Sequence, residues 1–159
     1  MSKRTKGITP LPIPVPWVYV LVYLIGVGIQ FLFPVNVNSE RVRLLFLVLG
    51  IVLLIGGLAL AGQGLLIFHN AHTTTTPGLV TSKLVTWGPY RFSRNPMYLG
   101  LFIAYIGETG ILIDAWSLVL LLLVFAYVNW IIIPVEESQL HETFGEAYKQ
   151  YCAKVRRWL

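Results

Sequence analysis

The sequence predicts an all-α, polytopic membrane fold: about four transmembrane helices followed by a C-terminal amphipathic cytoplasmic helix. Three observations carry that reading. Of the 159 residues, 56% are hydrophobic and 12% charged, with a mean hydropathy of +0.71, whereas a soluble domain carries about a quarter charged residues. No Asp, Glu, Lys or Arg occurs between Arg43 and Lys83, a gap that leaves a soluble helix no charged face. Apart from Glu108, the charges that remain flank the apolar runs, with the cations gathered in alternate segments.

Residues 1–16 end in "TPLPIPVP", whose alternating prolines predict an extended, polyproline-like lead-in that delays the first span to Trp17. The apolar runs are Trp17 to Phe33, Leu44 to about Phe68, Met97 to about Ile113, and Trp116 to Ile133. At 1.5 Å per residue they reach from about 25 to about 37 Å, bracketing a hydrocarbon core of roughly 30 Å. The third is short, carries Glu108 and ends in "GETGILID", so a tilted, kinked or partly re-entrant course is expected. "FPVNVNSERVR" reads as a short external turn. After the second run, "HNAHTTTTPGLVTSKLVTWGPYRFSR" has no helical period and is rich in Thr, Gly and Pro; a loop of that length in a small domain marks function or disorder. From Pro134 onward Leu140, Phe144, Ala147, Tyr148, Tyr151, Val155 and Trp158 recur at spacings of three and four. That pattern predicts one amphipathic helix lying on the membrane surface or folding back over the span ends. The length suits one domain, residues 1–159. No small-residue cleavage site follows the first run, so that run is expected to stay as a span.

Orientation follows from the cations. With a cytoplasmic N-terminus, Lys3, Arg4, Lys6, Lys83, Arg91, Arg94, Lys149, Lys154, Arg156 and Arg157 fall inside and only Arg41 and Arg43 outside, which places both termini in the cytoplasm. The net charge of +5 is then explained by insertion and anionic headgroups, and no nucleic-acid partner is expected. Cys152, the single cysteine, permits no intramolecular disulfide and reads as a small apolar helix residue.

Two stretches carry the candidate chemistry. On the C-terminal helix, at 100° per residue, Glu137 falls about 35° and Glu136 about 65° from the centre of the apolar stripe, while Glu142, Glu146 and Lys149 point away. Acids in a first helical turn after Pro134 are favoured by the helix dipole alone. A carboxylate turned toward apolar surface, however, needs a cation or hydrogen-bond donor to stay there. The second stretch is "WGPYRFSRNPMYLG", Trp87 to Gly100. Asn95 as N-cap, Pro96 as first residue, interfacial tyrosines and anchoring arginines account for its members one by one, but not for their density beside a long loop. His69 and His72 read as polar residues at a helix end, and no metal site is expected. "GQG", Gly62 to Gly64, reads as small residues that let helices approach. No phosphate-binding glycine loop follows a strand, which excludes a conventional soluble nucleotide fold.

Residues 69–159 resemble the integral-membrane methyltransferases of the isoprenylcysteine carboxyl methyltransferase and phospholipid methyltransferase type. The resemblance rests on Gly88, Pro89 and Tyr90; Arg94, Pro96, Tyr98 and Gly100; Glu136, Glu137 and Leu140; and Phe144, Gly145 and Tyr148. Asn95 departs from the carboxyl methyltransferases, which carry His there, and "NPMY" is the form associated with phosphatidylethanolamine N-methyltransferases. The resemblance implies transfer of a methyl group from S-adenosyl-L-methionine to a lipophilic small molecule or lipid at the cytosolic membrane face.

It also implies a site. Arg94, Asn95 and Tyr98 would be catalytic; Gly88, Tyr90, Arg94, Pro96, Tyr98, Gly100, Glu136 and Glu137 would hold the cofactor. In that scheme Glu137, with Glu136, accepts from the ammonium or ribose, Arg94 holds the carboxylate, Tyr90 and Tyr98 flank the sulfonium, and Asn95 caps the span. Arg157 is expected to matter less than Arg94. Two other readings stand beside this one: a nicotinamide-dependent membrane reductase similar to the sterol reductases in its C-terminal region, and a non-catalytic membrane scaffold.

Overall fold

Helix α1, Val15–Leu32, begins inside the proline-rich lead-in, two residues before Trp17. Pro14 is its N-cap and Pro16 lies in its first turn, where a missing N–H costs nothing. The computed structural model describes residues 14–71 and 83–159; the rest of the expected lead-in, His72 and most of the Thr-rich loop lie outside the described residues. Helix α2, Glu40–Asn70, follows a short turn. Its 31 residues reach about 46 Å, longer than the hydrocarbon core, so it tilts or extends past the core. A 3₁₀ turn at Gly88–Arg91 leads to α3, Pro96–Leu112. Helix α4, Ala115–Tyr127, continues through a π turn, Val128–Ile132, into α5, Ile133–Phe144, and α6 spans Glu146–Lys154.

Three helices are long and apolar enough to cross a membrane, namely Val15–Leu32, Glu40–Asn70 and the continuous Ala115–Phe144, and Pro96–Leu112 is a shorter apolar one. No strand occurs among the described residues. The four apolar runs are thus all helical, in an integral membrane protein.

The bundle is two helix pairs, α2 with α3 and α1 with α4. Along α2 only Gly50, Gly57 and Gly64 are buried, one every seventh residue. A Cβ on Gly57 would lie 2.4 Å from the Ala104 nitrogen and 2.5 Å from the Gly100 carbonyl oxygen. One on Gly107 would lie 2.5 Å from the Leu54 nitrogen. The two backbones therefore touch, as small residues allow where lipid supplies no hydrophobic drive between helices. Gly26 likewise faces Ser117, whose hydroxyl donates to the Tyr23 carbonyl at 3.1 Å. Asp114 caps α4, accepting from the Ser117 N–H at 3.0 Å, as an N-cap acid should.

The expected single amphipathic helix from Pro134 is corrected. Pro134 has no N–H for the fourth-residue-back bond, and the Ile133 N–H reaches instead to the Val128 carbonyl; a π turn absorbs the defect and the helix continues. The break comes at Gly145, whose φ of 50° suits glycine. Helix α6 then folds back, and Tyr148, Tyr151 and Val155 bury themselves against Leu140 and Phe144. The apolar stripe is real, but two helices share it.

The seam predicts opposite effects at adjacent residues. Gly57→Ala destabilises the protein by about 1–3 kcal/mol because its methyl meets backbone. Gly56→Ala, where a Cβ meets nothing within 4 Å, leaves stability unchanged or raises it by up to about 1 kcal/mol through helix propensity. Thermal unfolding in one detergent, compared with the parent chain, checks both.

Candidate active site

The site is built where α2 ends, α3 begins and α5 leaves the bundle. Gly88 opens the 3₁₀ turn at φ +62°, with Ile67 where a side chain would go. The turn lays the Tyr90 ring against Phe68, centroids 5.3 Å apart, and the Tyr90 carbonyl accepts from the Tyr151 hydroxyl at 2.7 Å. Asn95 stands at the N-cap of α3, but its side chain makes no cap bond. Its amide nitrogen donates instead to the Arg157 carbonyl at 3.1 Å. The capping role expected of Asn95 is therefore positional only, because the C-terminal tail offers its side chain a carbonyl. Pro96 is fully buried as the first residue of α3, and within the same first turn the Tyr98 hydroxyl donates to Glu136 Oε1 at 2.6 Å.

Both acids have partners. Glu137 Oε1 lies 3.2 Å from Arg94 Nη2 and accepts from Arg157 Nε at 3.2 Å, while Arg157 Nη2 donates to Oε2. Two guanidiniums against one carboxylate leave that corner with a net positive charge. Arg94 Nη1 donates to the Cys152 sulfur, and the Arg94 backbone N–H donates to the Arg156 carbonyl at 3.0 Å. Because α4 runs on into α5, no free helix N-terminus faces the carboxylates; the arginines hold Glu137 and the Tyr98 hydroxyl holds Glu136.

Tyr90, Arg94, Asn95, Met97, Tyr98, Glu136 and Glu137 line one narrow cavity of about 80 Å³. Phe68, Leu84, Val85 and Leu140 supply its apolar wall, with Lys83, Tyr148 and Tyr151 completing it. Burial works against the Arg94 charge, but Glu137 and the other groups around it outweigh burial and hold the guanidinium above its ordinary value. Burial pushes the Tyr151 hydroxyl up to about 12, and raises Tyr90 further. At neutral pH the cavity thus offers a fixed cation and neutral phenols. The Tyr90 hydroxyl and Arg94 Nε are buried without a hydrogen-bond partner, which is uncommon for buried polar groups.

Six expected site residues therefore meet: Tyr90, Arg94, Asn95, Tyr98, Glu136 and Glu137. Gly88, Pro96 and Gly100 do not line the cavity. Gly88 shapes the turn, Pro96 starts α3, and Gly100 packs on α2, where a Cβ would lie 2.5 Å from the Ala61 nitrogen. In "GQG", Gly64 sits beneath Met97 while Gly62 has open space. Arg157, expected to matter less than Arg94, is a partner of Glu137; a turn at Gly145 and the tail beyond α6 bring it there. Tyr151 was legible only as part of an apolar stripe, and Cys152 only as a small apolar helix residue. No local sequence pattern marks Arg157, because its partners are 20 and more residues away. Among the described residues no three His, Cys, Asp or Glu side chains gather as for a metal.

Residues 44–147 match the family described as phospholipid methyltransferase, and that span includes the seam, the turn and both acids. The chain belongs to the phospholipid methyltransferase family. Curated relatives bear the names of isoprenylcysteine enzymes. A probable protein-S-isoprenylcysteine O-methyltransferase of Oryza sativa subsp. indica is 37% identical over 81 residues, 48% of this chain and 40% of its own. Protein-S-isoprenylcysteine O-methyltransferase of Schizosaccharomyces pombe is 34% identical over 114 residues, 69% of this chain and 44% of its own. Its Saccharomyces cerevisiae namesake is 37% identical over 89 residues, 54% of this chain and 36% of its own. The chain thus spans less than half the length of these relatives. No solved structure matches it.

Paired charge predicts a stability test in the absence of any ligand. Glu137→Gln leaves two guanidiniums facing each other and lowers stability by about 1–3 kcal/mol, the cost of leaving charged groups unsatisfied. Glu142→Gln, on an exposed face, stays within about 0.5 kcal/mol. Equal thermal shifts in the two variants would show that Glu137 is not held by the arginines.

Proposed function

We propose that the chain transfers the methyl group of S-adenosyl-L-methionine to a lipophilic or lipid acceptor at the cytosolic membrane face. The observation that carries this reading is the convergence, in one cavity, of Arg94 and Tyr98 from one sequence block with Glu136 and Glu137 from another. S-adenosyl-L-methionine has an ammonium, a carboxylate, a sulfonium and ribose hydroxyls, and the donor set fits it. The Arg94 corner, net positive, takes the carboxylate by charge-assisted hydrogen bonds. Glu136, held from one side by Tyr98, accepts from the ammonium. Tyr90, Phe68 and Tyr98 present ring faces suited to a cationic sulfur, and Asn95 stays with the tail. Glu137 is taken up by Arg157, with a single contact to Arg94, a role different from the direct ligand expected of it, because both its oxygens are occupied by guanidinium.

The cofactor supplies an activated methyl group. With that group bound, in-line displacement by the acceptor's lone pair would need no protein nucleophile. What the residues do is align and shield. A cavity of about 80 Å³ takes the amino-acid end of the donor rather than all of it, so full binding parts the walls formed by the 3₁₀ turn and α6. The acceptor approaches from the apolar spans, the only phase in which a lipid tail is soluble. The names of the family and of its relatives, one for phospholipids and the other for isoprenylcysteine, support an acceptor with a lipid chain.

Purified protein in lipid should move the labelled methyl of S-adenosyl-L-methionine into an extractable lipid from native membranes and be inhibited by S-adenosylhomocysteine. Arg94→Ala should reduce turnover by about 100-fold or more and Tyr98→Phe by about tenfold, the scale of one lost charged and one lost ordinary hydrogen bond. If the parent chain shows neither donor binding nor labelled product, the reading is overturned.

The same reading puts both termini in the cytoplasm, because Lys83, Arg91, Arg94, Lys149, Lys154, Arg156 and Arg157 share the α3-entry end of the bundle. In a Cys152→Ser background, a cysteine at Lys154 should react with an impermeant maleimide only from the cytoplasmic side, and one at Ser39 only from the opposite side. The reverse pattern, or both from one side, contradicts it.

A further inference from the structure

The tail beyond α6 is tied to the cavity by more than one bond. The Arg157 carbonyl accepts from Ser93 Oγ at 3.2 Å and Asn95 Nδ2 at 3.1 Å, and the Arg156 carbonyl takes the Arg94 N–H. Arg157 Nη1 reaches the Asn129 carbonyl at 3.4 Å, and Trp158 Nε1 donates to Asn129 Oδ1 at 3.0 Å. The Trp158 ring lies 5.5 Å from Phe102 and 5.4 Å from Phe125. These contacts span α3, α4, the π turn and the loop ahead of α3.

We infer that Arg157, fixed by this tail, is a positioning residue for Arg94: by taking up Glu137 it keeps Arg94 extended toward the cavity. The inference rests on the methyl-donor reading above. A carboxylate facing a single arginine is gripped in a fork by two parallel bonds. Here Arg157 makes the fork, through Nε and Nη2, and Arg94 reaches only Oε1 with Nη2. Its Nη1 goes to Cys152, and its Nε has no partner. Without Arg157, Arg94 closes onto Glu137 as the fork, its charge is neutralised, and the corner no longer favours an anion. An exposed ion pair alone would carry little weight, but Arg157 and Glu137 are 31% and 21% exposed and braced by the backbone bonds. Arg157 does not line the cavity; it acts through Glu137.

Full-length protein in nanodiscs tests this in two ways. Without ligand, exchange of the Arg94 guanidinium Nε–H, read by NMR, should slow at least threefold in Arg157→Gln, as Nε–H gains a carboxylate partner, and stay unchanged in Lys154→Gln. With S-adenosyl-L-methionine and a membrane lipid extract, Arg157→Gln should raise the donor KM by about tenfold with kcat changed less than about threefold, the pattern of lost uniform binding. Arg157→Lys should recover part of that loss. In a Glu137→Gln background, Arg157→Gln should add less than about twofold, since its effect travels through Glu137. Unchanged exchange overturns the inference, as does slower exchange with an unchanged KM, or full additivity with Glu137→Gln. If the parent chain itself binds no donor, the methyltransferase reading falls, while the exchange comparison still decides whether Arg157 holds Arg94.

Discussion

A carboxylate at the edge of an apolar bundle must be paired, and the pairing of Glu137 organises the motif end of this protein. Its partners, Arg94 and Arg157, come from the loop before α3 and from the tail after α6. Leaving any member alone strands a partly desolvated charge at a cost of about 1–3 kcal/mol. The loop, the fourth span and the tail are thereby held to one geometry. Glu136 is placed one residue along and is left to a neutral donor, the Tyr98 hydroxyl. The two neighbouring acids thus acquire different work: one sits inside a cationic clamp, and the other faces the cavity with a single hydrogen-bonded phenol.

That clamp needs α3 to enter at a set height against α2, and the glycine seam determines it. Gly50, Gly57 and Gly64 lie on one line of α2, and backbone contact at Gly57 and Gly107 leaves no slack for sliding. The last member, Gly64, is under the cavity: a Cβ there would lie 2.6 Å from Met97 Cγ and 3.4 Å from the Tyr90 hydroxyl. Packing deep in the membrane is therefore continuous with the floor of the site. The π turn does comparable work on the other wall. It inserts one residue into the ladder before Pro134, rotating all that follows by about 100°, and so sets which way both acids face.

Family membership agrees with this division of labour. The matched region, residues 44–147, contains the seam, the turn, α3 and both acids, but ends before Arg157. The tail that completes the clamp lies outside the stretch by which the family is recognised.

Much of this was legible in the residues alone. Hydropathy and the segregation of charge determined the all-helical membrane fold, because a span with no charged face has no stable alternative in water. The density of Arg, Tyr and Pro in "WGPYRFSRNPMYLG" and the inward angle of Glu136 and Glu137 pointed to a shared site, because buried charge requires a partner. The partners themselves were decided only in three dimensions. Arg157 reaches Glu137 through a positive-φ turn at Gly145 and a tail without regular structure, and no periodicity encodes that path. Gly100 was expected to hold the cofactor because the family resemblance implies it; only helix contact shows it against Ala61. Asn95 was read as a cap because that is the local use of Asn before a helix, and a carbonyl from a distant tail outcompeted the local bond. Local chemistry determines which groups need partners, whereas the assembled fold decides which partners they find, because pairing depends on distances that sequence separation does not measure.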